Sequence, residues 1–258
     1  MILGEIAARH IENRLHVKVD RKLNLGGTLL THEALVAGAL DLYPEYTGTA
    51  LTAILKKPPL ADPARVLATV REKYATRWKL EWLAPLGFND TFAMVVTGDR
   101  ARREKLVSLT DAAARPEPWT LGTGYEFADR PDGLAGLIHT YGLRLRGSPK
   151  TMDLGLLYKA LEQGEVEMVA ANATDGLLSA RDFVVLRDDR AYFPPYEAAF
   201  VVRSETLAGH AGLREALSEL SGRLSDRTMQ HLNDQVDGRH RRVVEVAEEF
   251  LRKEKLFQ

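Results

Sequence analysis

Four short stretches of the chain combine aromatic rings with isolated charges. Tyr43-Pro-Glu-Tyr46-Thr-Gly-Thr49 carries two tyrosines, a glycine and two threonine hydroxyls. Asn89-Asp90-Thr91-Phe92 sets a carboxylate beside a ring, and Phe193-Pro-Pro-Tyr196 fixes a ring behind two prolines. Tyr125-Glu-Phe-Ala-Asp-Arg130-Pro-Asp-Gly puts an arginine just ahead of a predicted helix. Ring faces with one carboxylate suit a bulky cation, each ring adding ~0.5–2 kcal/mol when water is excluded. An arginine beside a helix N-terminus suits an anion, above all a carboxylate. Together these groups describe a site for a zwitterion. Packing in a core or an interface is the alternative for every ring.

The remaining chemistry is sparse. Gly122-Thr-Gly-Tyr-Glu-Phe lacks the third glycine of a dinucleotide fingerprint. Gly26-Gly27-Thr28 lacks the lysine of a phosphate loop, and His32-Glu33 lacks the second histidine of a helical zinc motif. No Gly-x-Ser-x-Gly elbow occurs. There is no cysteine, which removes disulfides, zinc–thiolate sites and thiol nucleophiles together. No metal or cofactor is expected.

Alternating strand and helix patterns should position these groups. Phe92–Thr97, Phe183–Leu186 and Ala198–Val202 read as strands, and Asp62-Pro63 opens a helix running to about Trp78. The alternation over His16–Leu25 predicts a further strand, and Thr31–Leu40 a helix. Such a series predicts an α/β fold with mostly parallel sheets. Ligands then bind beyond the carboxyl ends of strands, where the four stretches and Ala171–Gly176 fall. The first residues read as a helix already under way, with Ile2, Ile6, Ala7, Ile11 and Leu15 on one face. No N-cap precedes it and no signal peptide is visible, so the chain is either cytoplasmic or lacks its natural beginning.

The 258 residues suffice for one large domain or two smaller lobes. Lys+Arg total 35 and Asp+Glu 36, a net charge of -1, which leaves no electrostatic footprint for nucleic acid. The longest apolar runs, about five residues, are far below the ~20 of a membrane helix.

Several motifs resemble one family. They are Leu23-Asn-Leu-Gly-Gly-Thr, Glu33 through Ala50, Asn89-Asp-Thr-Phe-Ala-Met, Glu126-Phe-Ala-Asp-Arg-Pro-Asp-Gly-Leu, Thr174-Asp-Gly and Asp188 through Tyr196. The sequence is similar to the substrate-binding proteins of glycine betaine/choline/carnitine ABC importers over essentially its whole length. The resemblance implies a type II periplasmic-binding-protein fold of two α/β lobes with two hinge crossovers. Lobe I would be residues 1–91 plus 197–258 and lobe II residues 92–196, with the ligand cleft between them. It implies a monomer outside the cytoplasmic membrane that delivers a betaine-type zwitterion to an ABC permease with its ATPase. By motif, Tyr46 and Tyr196 match cage tyrosines, Asp90 the acidic position, Arg130 the carboxylate-binding arginine and Thr49 a hydroxyl contact. Phe92 stands where a cage tyrosine is usual, and Asn172 stands in place of an aromatic wall. An incomplete cage suits a related betaine such as ergothioneine, or an osmolyte held weakly. An N-terminal strand usual in the family is absent from this sequence, which agrees with a missing beginning. An enzyme on the same fold, with Asp90, Glu126 or Asp132 as base, and a sensory or permease-fused receptor domain are the competing readings.

Overall fold

A computed structural model describes all residues except Asn24, Pro131 and Gln258, and leaves out the Glu126 side chain. The candidate base Glu126 therefore lies outside the described residues. The chain forms two compact units, Met1–Asp90 with Pro195–Gln258, and Thr91–Pro194.

The first unit opens with helix α1 (Ile2–Leu15), which buries Ile2, Leu3, Ile6, Ala7, Ala8 and Ile11. Its N-terminus has no side-chain cap, as the sequence suggests. Helix α2 is Thr28–Val36, earlier than expected; it starts after Gly27 and gives way at Gly38, which adopts a left-handed φ of +76°. Strand β1 (Leu42–Tyr46) runs into the single turn α3 (Thr47–Thr49) and a π-helical turn, Ala50–Ile54. Helix α4 (Pro63–Trp78) is capped by the Asp62 carboxylate, which accepts from the backbone N–H of Ala64 at 2.9 Å. Strand β2 is Leu80–Trp82.

The second unit holds β3 (Phe92–Thr97), β4 (Leu121–Thr123), β5 (Lys150–Thr151), β6 (Met168–Asn172) and β7 (Phe183–Leu186). They form a five-stranded sheet in the order β5-β4-β6-β3-β7. Strand β8 (Ala198–Arg203) then returns to the first unit and completes a sheet of order β1-β8-β2.

The expectation of mostly parallel sheets is corrected. Strands β1 and β2 point the same way, but β8 comes back from the other unit and inserts antiparallel to both. In the second unit β3, the first strand after entry, runs against β6 and β7, while β4 is parallel to β5 and β6. Among the described residues of His16–Leu25, the expected strand does not form. Its polar groups turn instead to α1: Arg21 binds Glu12 at 2.7 and 2.8 Å and Glu5 at 3.0 Å, and Val19 N–H donates to Glu12. The hydrogen bonds from Arg21 hold the Glu12 carboxyl down at about 2.

Both sheets are buried on both faces, so the central strands are continuous apolar runs. Along β8, Ala198, Phe200 and Val202 join the core under α1, while Ala199 and Val201 join the one under α4. Along β3, Met94 and Val96 face one core and Ala93 and Val95 the other. No helix among the described residues is long and apolar enough to cross a membrane.

Phe200 is 1% exposed at the middle of the first unit's sheet. Phe200→Ala is expected to cost about 3–5 kcal/mol, read by urea unfolding; a loss under about 1 kcal/mol would contradict this packing.

Candidate functional site

In the first unit, three chain segments meet. The first is the end of β1 with α3, carrying Tyr46 and Thr49, both half-buried. The second is Asn89-Asp90 and the third Pro195-Tyr196-Glu197. The Asn89 Oδ1 accepts from the Tyr196 N–H at 2.6 Å, and the Asp90 N–H donates to the Tyr196 carbonyl at 3.1 Å. Asn89 is itself held, its N–H donating to the Asp226 carboxylate at 2.8 Å. The Thr47 N–H donates to the Glu197 carbonyl at 3.0 Å, tying the third segment to α3.

Gly48 explains how close these segments come. A Cβ at that position would stand 2.6 Å from the Pro195 carbonyl oxygen and 2.8 Å from the Tyr196 ring. The ring is buried, 4% exposed, against the glycine. Tyr46 packs edge-on to Phe88, with centroids 6.3 Å apart, and its hydroxyl feels the nearby Asp90 carboxylate. Burial, with Asp90 and Glu45 nearby, raises the Tyr46 hydroxyl far above the ordinary tyrosine value. That ring is neutral at any physiological pH, as a cation-binding face requires. Tyr43, the other tyrosine of the stretch, is not part of this group: it is buried in the core under α4, its hydroxyl donating to Glu45 at 3.0 Å.

In the second unit, Phe92, Arg130 and Asn172 are brought together. Phe92 and Asn172 stand directly opposite on β3 and β6, so their side chains share one face of the sheet. The Asn172 N–H donates to Asp175 at 3.2 Å, and Tyr158 donates to the same carboxylate oxygen at 2.8 Å. Phe92 packs on Phe127 at 4.9 Å and Phe193 at 6.1 Å. The Arg130 guanidinium lies 5.3 Å from the Phe92 ring centroid. Its Nε and Nη2 donate to the two oxygens of Asp132, at 2.9 and 2.8 Å. The Asp132 carboxylate is buried, whereas the Arg130 side chain is 25% exposed.

The loop after β7 carries Phe193, and Asp188 organises it. That carboxylate accepts from the N–H groups of Tyr192 at 3.0 Å and Phe193 at 2.8 Å, and from the Tyr141 hydroxyl. Tyr192 in turn donates to the Gly133 carbonyl at 2.7 Å, holding the start of the Leu134–Tyr141 helix just after Arg130.

The seven expected residues therefore fall into two sets, Tyr46, Thr49, Asp90 and Tyr196 in one unit and Phe92, Arg130 and Asn172 in the other. Sequence reasoning missed Asn89, Gly48 and Phe127 as their supports. Only the proximity of Asn89 to Asp90 and of Gly48 to Tyr46 gave any signal. Among the described residues, no three His, Asp or Glu side chains are placed to hold a metal ion.

The family model for the substrate binding domain of the ABC-type glycine betaine transport system matches residues 1–253. The chain is 33% identical over 251 residues to the ergothioneine transport permease/ergothioneine binding protein of Helicobacter pylori (strain G27), covering 97% of this chain and 45% of that one. It is 30% identical over 259 residues to the carnitine transport binding protein of Listeria monocytogenes, 100% of this chain and 84% of that one. The chain thus spans under half of the Helicobacter protein. The crystal structure of a glycine betaine/carnitine/choline ABC transporter protein superposes with a TM-score of 0.92 at 32% identity, over 100% of this chain and 95% of that one. With a match that runs nearly end to end, the chain belongs to the family of substrate-binding domains of ABC-type glycine betaine transport systems and has their type II binding-protein fold.

Proposed function

We propose that the two half-sites act on one molecule of a quaternary ammonium zwitterion, glycine betaine or carnitine in kind, which the units enclose by closing on it. Tyr46, Phe92 and Tyr196 supply ring faces for the cationic head, and Asp90 supplies the opposing charge. Arg130 and Thr49 take the carboxylate. The single observation that carries this reading is the Arg130–Asp132 pair beside Phe92, which holds a planar guanidinium in one orientation, as recognition of a carboxylate requires. The chain hands its ligand to an ABC permease outside the cytoplasmic membrane, as a monomer, and carries out no turnover of its own.

A second ligand class is favoured by one residue. Asn172 faces the same side as Phe92 and offers an amide donor and acceptor where a ring would offer only an apolar face. That suits a betaine with a polar ring, and a relative named for ergothioneine shares 33% identity. Calorimetric titration with glycine betaine, carnitine, choline and ergothioneine separates the two. Tight glycine betaine binding with no ergothioneine binding removes the second reading, and silence from all four removes both.

Asp90→Asn is expected to weaken each cationic ligand about ten- to a hundredfold, the loss of a charge-assisted contact in a partly buried site. Its melting temperature should change little, because Asp90 is half-buried. Arg130→Gln should weaken glycine betaine about tenfold or more yet leave choline, which has no carboxylate, nearly unchanged; equal losses for both ligands would sink the assignment. Gly48→Ala should push the Tyr196 ring and lower affinity severalfold, about 1 kcal/mol or more, measured in the same titrations.

A further inference from the structure

Glu45 has no role in the ligand site as described, yet it is a carboxylate only 2% exposed, one residue before Tyr46. Its Oε1 accepts from the Tyr46 N–H at 2.7 Å and its Oε2 from the Tyr43 hydroxyl at 3.0 Å. Both partners donate, so the arrangement fits an ionised carboxylate, while burial favours the neutral acid.

We infer that Glu45 is a positioning residue for Tyr46 whose ionisation tunes the affinity for a cationic ligand. The inference rests on the reading of Tyr46 as a cation-binding ring. Two effects act in the same direction. The ionised carboxylate holds the Tyr46 backbone at the junction of β1 and α3 with a charge-assisted bond. Its charge is also felt at the Tyr46 hydroxyl, where it adds to that of Asp90.

The other groups around Glu45 are accounted for. On its own strand these are Tyr43 and Tyr46, both raised well beyond the physiological range. From α4 comes Tyr74, also raised by burial. From α2 comes His32, packed on Tyr74 and lowered by burial, so it is neutral through neutral pH. The residue opposite on β8 is the uncharged Ala199. On α1 and the segment after it, Glu5, Glu12 and Arg21 are paired with one another. Asp41 and His210, which line the same groove, are both bound to Thr206.

The sign follows from the burial. The Glu45 carboxyl is pushed up to about 7, mainly by burial and against the pull of the Tyr46 N–H and the Tyr43 hydroxyl. Below that pH it is mostly protonated and a cation must displace the proton on binding. Above it the charge is already present. Affinity for a cation therefore rises as pH rises through neutrality, and binding at pH 7 releases part of a proton.

The test is calorimetric titration of the whole chain with choline and with glycine betaine, neither of which titrates between pH 6 and 8. The expected result is binding about three- to tenfold tighter at pH 8 than at pH 6, with about a third to a half of a proton released at pH 7 when buffers of different ionisation enthalpy are compared. Glu45→Gln should abolish both the slope and the proton release. Tyr43→Phe, which removes one donor and leaves the acid in place, should move the profile to higher pH; it also guards against a Gln variant that does not fold. A flat wild-type profile with ordinary binding, or a slope that survives in Glu45→Gln, would overturn the inference alone. No binding of either ligand would overturn the reading of Tyr46 and this inference with it.

Discussion

The grouping of Asp90 and Tyr196 in the first unit depends on one pair of hydrogen bonds. The chain leaves that unit after Asp90 and re-enters at Pro195, and the two passages are joined backbone to neighbour: the Asn89 side chain to the Tyr196 N–H, and the Asp90 N–H to the Tyr196 carbonyl. These bonds fix a carboxylate and a ring that are more than a hundred residues apart in sequence. Gly48 completes the constraint from below, since only a residue without a Cβ lets α3 approach the Tyr196 ring so closely. A short helix, a strand end and two crossing segments are thus joined through their backbone groups.

The second unit fixes a guanidinium. Asp132 is buried and takes two of the Arg130 donors, and the guanidinium lies over the Phe92 ring. The pair is therefore held in one orientation, which on the proposed reading lowers the entropy lost on binding. Phe92 serves twice, as a ring packed on Phe127 and Phe193 and as a floor for Arg130. A near-neutral whole, 35 cationic against 36 anionic side chains, thus carries sharply local charges.

Much of this could be read in the residues. The apolar runs of β3 and β8, the Asp62-Pro63 helix start and the amphipathic α1 follow from period and capping alone. The stretches that carry Tyr46, Asp90, Arg130 and Tyr196 stood out because rings, prolines and single charges cluster there. Other features were illegible for physical reasons. The alternation over His16–Leu25 has a strand's period, but its groups find Glu5 and Glu12 of α1 instead of a sheet partner. Tyr43 and Tyr46 look alike in a line of residues, and only the pleat of β1 sends one to the core and the other to the surface. Antiparallel pairing of β8 between β1 and β2 could not be inferred, because nothing local records that the chain returns from elsewhere.

The sequence by itself determined which residue types were available and where several elements begin, α1, α4 and β3 among them, since propensity, periodicity and capping act over a few residues. It also carried family motifs, with departures at Phe92 and Asn172. The tertiary structure alone decided which of those residues stand together: that Asn89 holds Tyr196, that Asp132 holds Arg130, that Phe92 faces Asn172, and that Glu45 is buried with two donors on its carboxylate. Those pairings are set by packing between segments far apart in the chain, where burial raises or lowers a charge and a missing Cβ sets a distance.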